Sequence, residues 1–363
     1  MPGSNARPLP ETDLGHVLEH TRGLWEDLRC GRLFVTGGTG FFGRWMLESF
    51  LRANDELRLG AEAIVLTRDP DRFANAAPHI AGHPAIRMHV GDVRSFDPPG
   101  QDCSHVLHMA TETAFASARA SFETAVQGTR QVLDFAARHD VRRLLLTSSG
   151  AVYGPQPPEI ERLFEEYAGA PRPDDPSTGY GHGKRAAEFL CAVAAAETGL
   201  QATIARCFAF VGPLLPLDAN FAIGNFIRDA LHGERIDVMG DGTPRRSYLY
   251  AADLAIWLWT ILFRGESGRP YNVGSEADLS IGDLALLVAE VLRPGIPVHV
   301  AVQPAAGARP ARYVPSTVRA VRELDVHAWV DLDDAILRTA RWYLAGTNGG
   351  SPDQTSRVSS VLW

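Results

Sequence analysis

What this chain lacks narrows it before any motif is read. Only four of its 363 residues are cysteine (Cys30, Cys103, Cys191 and Cys207), and none belongs to a CxxC pair or a Cys/His ligand pattern. That argues against a disulfide framework and a thiolate zinc site, and no metal is expected. Three of the four sit in apolar surroundings and read as reduced, buried thiols. No apolar run approaches membrane-spanning length, and the first residues lack the basic start and apolar centre of a secretory leader. The expected compartment is the cytoplasm, with no membrane partner. Basic residues are in deficit: 35 Lys and Arg against 43 Asp and Glu leave a formal net charge of -8. A general nucleic-acid surface is not expected on that balance, while a local basic pocket for a phosphorylated small molecule remains compatible with it. The chain also lacks internal repeats and low-complexity tracts. With 45% hydrophobic and 21% charged residues, it suits one large core or two lobes sharing one.

Against these absences stands one dense stretch, Leu33-Phe34-Val35-Thr36-Gly37-Gly38-Thr39-Gly40-Phe41-Phe42-Gly43. An apolar run enters glycines spaced Gly37-x-x-Gly40-x-x-Gly43, and a helical pattern (Trp45, Met46, Leu47, Phe50, Leu51) leaves them. Strand, tight turn and helix start together form a cradle for a dinucleotide pyrophosphate. Glycine lets the backbone approach the phosphate oxygens, and the helix N-terminus at Phe41 and Phe42 offers free N–H groups.

Around this centre the chain reads in order. Residues 1–29 form an N-terminal extension with an amphipathic helix over 11–29. Residues 30–207 alternate short apolar strands with helices: strands at 63–67, 86–90, 105–110, 143–147 and 202–207, and helices at 118–139 and 179–199. That alternation predicts an α/β fold, a Rossmann-type doubly wound parallel sheet. Polar clusters fall at strand carboxyl ends, where such sheets bind ligands. After the second strand, Arg68 leans toward the 2′-phosphate of NADP, Asp69 keeps NAD open, and both also read as solvated loop charges. After the third, Asp92 is placed to hydrogen-bond an adenine amine. Residues 154–178 are Pro-rich and acidic and read as a surface excursion partly covering the site. Residues 208–345 mix loops, short strands and helices as a smaller C-terminal α/β lobe, some segments returning to the first core. Residues 346–363 read as a flexible tail.

The chemistry gathers at Tyr180-Gly181-His182-Gly183-Lys184. Tyrosine and lysine at i and i+4 share a helix face. A phenol is a poor base at neutral pH; a neighbouring ammonium and a positive nicotinamide favour its phenolate. Such a phenolate removes a hydroxyl proton as hydride leaves the same carbon. Ser149, at the end of the fifth strand, is placed to hydrogen-bond the substrate oxygen.

The glycine turn, Gly91-Asp92-Val93, His108-Met109-Ala110, Ser148–Gly154, Tyr180–Lys184, Arg206–Pro213, Arg246–Asp253 and Tyr271–Gly274 together resemble the extended short-chain dehydrogenase/reductase family, in particular its nucleotide-sugar epimerases and dehydratases. The likeness spans roughly residues 31–345. It implies NAD or NADP in the first lobe and a nucleoside-diphosphate sugar in the second. It implies Ser149, Tyr180 and Lys184 as the catalytic set. Cofactor contacts implied are Gly37, Gly40, Phe41, Phe42, Gly43, Arg68, Asp92, Val93, Met109, Ala110, Thr111, Tyr180 and Lys184. Substrate contacts implied are Glu112, Thr113, Ser149, Asn225, Arg246 and Arg312. For the two arginines, a guanidinium fork suits a diphosphate; surface or inter-lobe ion pairing is the competing role. The resemblance also implies a homodimer built on the helices at 118–139 and 179–198.

Within that family the 4,6-dehydratases carry an Asp-Glu pair just after the serine position. Here those places hold Gly150 and Ala151, which transfer no proton. Glu112 is dehydratase-like in position. The expected reaction is 4-epimerisation of a nucleotide sugar through a 4-keto intermediate, with 4,6-dehydration, uronate decarboxylation and 4-keto reduction as alternatives. A non-catalytic NADP-sensing or scaffold role is the alternative outside enzymes. Ala125 and Ala209 stand where many relatives carry asparagine.

Overall fold

The short apolar runs become the strands of one parallel sheet, buried on both faces. The structure is a computed structural model that describes residues 6–111, 117–219, 221–305, 307 and 309–347. In chain order its first half runs α1 (Glu11–Thr21), β1 (Arg32–Thr36), α2 (Phe41–Leu57), β2 (Glu62–Thr67), α3 (Pro70–Ala76), α4 (Pro78–Ala81), β3 (Ile86–Val90), β4 (His105–His108), α5 (Ala118–Arg138), β5 (Arg143–Ser149), α6 (Gly179–Thr198) and β6 (Gln201–Cys207). The spatial order is β3-β2-β1-β4-β5-β6, extended past β6 by the Pro270–Val273 strand. Alternate residues of each strand feed different cores, as a period of two requires. Leu33, Val35, Leu107 and Leu145 face α2 and the later helix Ala251–Arg264. Phe34, Val106, Leu144 and Leu146 pack with Val132, Phe135 and Ala187 of α5 and α6. The chain reverses direction across the sheet between β1 and β4, which opens a crevice at their carboxyl ends.

Past Cys207 come α7 (Ala222–His232), α8 (Ala251–Arg264) and α9 (Ile281–Leu292), with three small sheets of two or three short strands. Every residue of α8 from Ala251 to Phe263 is buried, so it is apolar all round rather than amphipathic. Its few polar atoms are matched: Trp259 Nε1 donates to Ser49 Oγ at 2.9 Å, and buried Asp253 accepts from Trp329 N and Val330 N at 2.9 and 3.0 Å.

Two expectations change. The helix expected over 11–29 is α-helical only to Thr21 and continues as a 3-10 turn over Arg22–Leu28. Gly23 sits at the change, where glycine's backbone freedom weakens an α-helix. The 154–178 excursion is not merely a surface loop. Leu163 is fully buried, its N–H donates to Val314 O at 2.8 Å, and Glu165 Oε1 accepts Asn272 N at 2.9 Å. The segment's carboxylate is consumed by a strand's backbone, which ties the segment to the Pro270–Val273 strand as well as to Val314.

Candidate active site

The glycine turn separates into positions the protein needs and one it leaves open. Gly37 has φ of +73°, and a Cβ there would lie 2.6 Å from Ala110 N and Met109 C. A Cβ on Gly43 would strike Gly37 O and the Gly38 backbone. A Cβ on Gly40 would meet only Gly37 O, at an ordinary 3.6 Å. Gly40 is also the N-cap of α2 and makes no side-chain cap, so the first N–H groups of the helix face outward. The space a side chain would fill at Gly40 is thus free for a phosphate, and the residues fit a dinucleotide. Gly40→Ala is expected to leave the melting temperature within a few degrees while weakening NAD(P) binding about tenfold or more; calorimetry of both quantities checks it, and a parallel collapse of stability would contradict the division.

The three residues expected to be catalytic, Ser149, Tyr180 and Lys184, converge beside this cradle. Ala110, packed on Gly37, precedes Thr111, and the Thr111 and Ser149 side chains stand near enough to the Tyr180 hydroxyl to favour its phenolate. Burial pushes the Tyr180 phenol up, and the neighbouring Ser149 and Thr111 side chains work against that rise. Lys184 is buried, with Nζ donating to Thr147 O at 2.8 Å and standing 5.9 Å from the Tyr180 ring centroid. Burial lowers its ammonium to about 8. The lysine charge therefore does not by itself bring the phenol into the neutral range, and the rest of the activation falls to a cationic cofactor ring.

A buried ionic lattice fixes the trio from behind. Glu188, one turn beyond Lys184 on α6, accepts Ser148 Oγ at 2.5 Å and three bonds from Arg206 at 2.7 to 3.1 Å. Arg206 Nη1 also donates to the Tyr153 hydroxyl at 2.8 Å, and that hydroxyl donates to Asn272 Oδ1 at 2.7 Å. α6, β5, β6 and the Pro270–Val273 strand are thereby locked in one register at the site. His108 joins β1 to α5 through Thr36 and Thr129 at 2.8 and 2.9 Å. Burial lowers it to about 3, so it is a neutral strut.

The remaining expected contacts divide. Val93 packs at Gly128 of α5. The Asp92 carboxylate is held by the Arg94 guanidinium at 2.8 and 2.9 Å, which lowers it and competes with an adenine amine. Asp69 is spent as the cap of α3, its Oδ1 accepting Arg72 N at 2.9 Å, whereas Arg68 is exposed and makes no hydrogen bond with a described residue. Asn225 Oδ1 accepts from Arg228 at 3.3 Å. Arg312 donates to Asp278 at 3.2 Å, and Arg245 is paired to the same carboxylate. Arg246 has no carboxylate partner among the described residues; it donates to Arg245 O at 2.8 Å and lies over the Tyr313 ring. Glu112 and Thr113 lie outside the described residues.

A family model described as the NAD dependent epimerase/dehydratase family matches residues 33–274. The chain belongs to this family. As a member of the epimerase/dehydratase family it is an enzyme that uses NAD or NADP. It is 29% identical over 273 residues to UDP-glucuronic acid decarboxylase 6 of Arabidopsis thaliana, covering 74% of this chain and 76% of that protein. It is likewise 29% identical over 322 residues to dTDP-glucose 4,6-dehydratase of Streptomyces griseus, covering 86% and 93%. The dTDP-glucose 4,6-dehydratase of Streptomyces venezuelae, solved with NAD bound, shares its fold with a TM-score of 0.72 at 28% identity, over 88% of this chain and 99% of that one.

In this epimerase/dehydratase family member the position after the serine is closed. A Cβ on Gly150 would lie 2.7 Å from the Tyr313 hydroxyl and 2.8 Å from the Phe208 ring. The glycine is required by what packs on it, so no acidic side chain fits there without displacing Tyr313. Tyr313 itself, with its hydroxyl 3.5 Å from Ser149 Oγ, was missed by sequence reasoning. It lies in a two-residue strand, Arg312–Tyr313, too short for periodicity to register. Glu188 was missed too, although its place four residues after Lys184 is a usable signal.

Proposed function

We propose that this enzyme oxidises a nucleoside-diphosphate sugar at C4 and that the 4-keto sugar leaves as the C4 epimer. The observation that carries this reading is the pairing of an assembled Ser149–Tyr180–Lys184 trio with a position 150 too crowded for an acid. Dehydration across C5 and C6 needs a proton donor and acceptor there; epimerisation needs neither. A bound NAD(P) supplies the hydride acceptor, and hydride returned to the other face of a turned 4-keto sugar gives the epimer. Tyr180 takes the proton from the sugar hydroxyl. Ser149 donates a hydrogen bond to the same oxygen as it becomes a carbonyl. Lys184, with donor capacity left beyond Thr147 O, holds the nicotinamide ribose. Arg246, without a carboxylate partner among the described residues, binds the diphosphate, and residues 208–345 carry the sugar.

A second reading is decarboxylation of a uronic-acid sugar, favoured by curated relatives of that name. A 4-keto group is β to the C6 carboxylate, so carbon dioxide leaves without a further acid–base pair. The cofactor is read as NADP, because exposed Arg68 makes no hydrogen bond with a described residue and Asp69 is occupied by its cap. A homodimer through α5 and α6 is supported by Phe122 and Phe189, which are 40% and 69% exposed on those helices; a monomer by light scattering removes that part.

The decisive experiment incubates the enzyme with UDP-, dTDP-, GDP- and CDP-sugars, including UDP-glucuronate, with NAD+ and NADP+ in parallel. NMR and mass spectrometry identify the products. An isobaric C4 epimer is expected, with NADP+ preferred. Loss of carbon dioxide installs the second reading, loss of water overturns both, and turnover with NAD+ alone sinks the NADP assignment.

A further inference from the structure

We propose that Tyr313 is a positioning residue that aims the Ser149 hydroxyl at the reacting oxygen, so that the second lobe sets the catalytic serine. The argument is an account of one hydroxyl. Ser149 Oγ has one proton to give and two lone pairs to fill. Ala151 N–H fills the first at 3.1 Å. The Tyr313 hydroxyl stands 3.5 Å away and has no other hydrogen-bond partner among the described residues. With no other acceptor for its proton among the described residues, the Tyr313 hydroxyl is assigned as the donor to Ser149 Oγ, and burial, which pushes its phenol up, keeps that proton in place. With both lone pairs engaged, the Ser149 proton has one direction left, toward Tyr180 and the space in front of it. Without Tyr313 the hydroxyl rotates freely and spends part of its time pointing away.

Tyr313 is well held for the task. Its ring lies 4.7 Å from that of Phe208, and the Arg246 guanidinium carbon is 5.6 Å from its centroid. Its short strand pairs with the Arg245–Ser247 strand, and the neighbouring Arg312 shares Asp278 with Arg245. The tyrosine is therefore fixed to the same small sheet that carries Arg246. Seating of that sheet and aim of the serine are one mechanical event.

Tyr313→Phe removes the hydroxyl and keeps the ring, so its packing against Phe208 and Arg246 survives. The first readout needs no sugar. In the NAD+-loaded enzyme, the Tyr180 phenol is titrated by its phenolate absorbance, each variant against its own Tyr180→Phe partner. Tyr180 is expected to ionise at higher pH in Tyr313→Phe, because a wandering Ser149 proton stabilises the phenolate less. In a Ser149→Ala background the same substitution is expected to change nothing. No shift, or an equal shift with and without Ser149, overturns the proposal. The second readout rests on the sugar-oxidation reading. With the sugar that turns over, kcat falls about tenfold and KM stays within about twofold, and the loss vanishes in Ser149→Ala. A raised KM at unchanged kcat would make Tyr313 a mere substrate contact. Absence of turnover with every sugar defeats the sugar reading alone, and the titration still decides Tyr313.

Discussion

Tyr180→Phe is expected to lower kcat by about 10²- to 10⁴-fold, the usual range for removing a placed general base, while NAD(P) affinity stays within about twofold. The substitution deletes one oxygen. That oxygen faces Ser149 and Thr111, and no other base stands beside it among the described residues. Lys184 offers no substitute, since its Nζ is turned onto Thr147 O. His108 is buried between two threonines and neutral. Stopped-flow absorbance in the reduced-nicotinamide band, with cofactor affinity by fluorescence, separates chemistry from binding. Retention of more than a tenth of the wild-type rate would remove Tyr180 from the mechanism. A matched loss of cofactor affinity would instead indicate collapse of the pocket.

The largest effect on stability is expected from Glu188→Ala. Glu188 and Arg206 are 10% and 14% exposed at their side chains and joined by three hydrogen bonds. Removing one partner of such a pair strands the other charge in a poorly solvated place, which costs about 3–5 kcal/mol. Ser148 loses its acceptor in the same change, and its buried hydroxyl adds to the loss. Arg206 keeps Tyr153 and Glu165 O, which limits the damage but leaves its charge uncompensated. Urea unfolding should show the midpoint falling with the slope little changed. An unfolding midpoint within experimental scatter of wild type would show that the lattice holds geometry and not free energy. Replacing both Glu188 and Arg206 by apolar residues of similar volume should recover much of the loss.

Much of the sheet was visible in the sequence because its strands are short apolar runs between glycine-rich turns and amphipathic helices. β1, β2, β3 and β5 begin within a residue of where hydrophobicity places them. The glycine turn and the tyrosine–lysine pair were legible because both are local: their chemistry depends on neighbours within one or two helical turns. What escaped was non-local or made of very short segments. Arg312 carries the right charge for a diphosphate, and its ion pair with Asp278, distant in sequence, is not readable from local pattern. Asp69 was open to two roles until its capping bond assigned it to α3. Tyr313 reaches Ser149 across 164 positions of chain, a separation no periodicity can register. The excursion at 154–178 looked solvated because its acids were counted without their partners; Glu165 and Leu163 are held by the Pro270–Val273 strand and by Val314.

That same Pro270–Val273 strand has a bearing on how the molecule is made. It closes the outer side of β6, yet it is synthesised only after α7, α8 and most of the second lobe. Until Val273 leaves the ribosome, β6 offers a bare row of amides and carbonyls flanked by apolar side chains, a ready template for pairing with another chain. Nascent chains halted between Cys207 and Pro270 should therefore lean on chaperones, and fragments ending there should precipitate while the full-length protein stays dispersed.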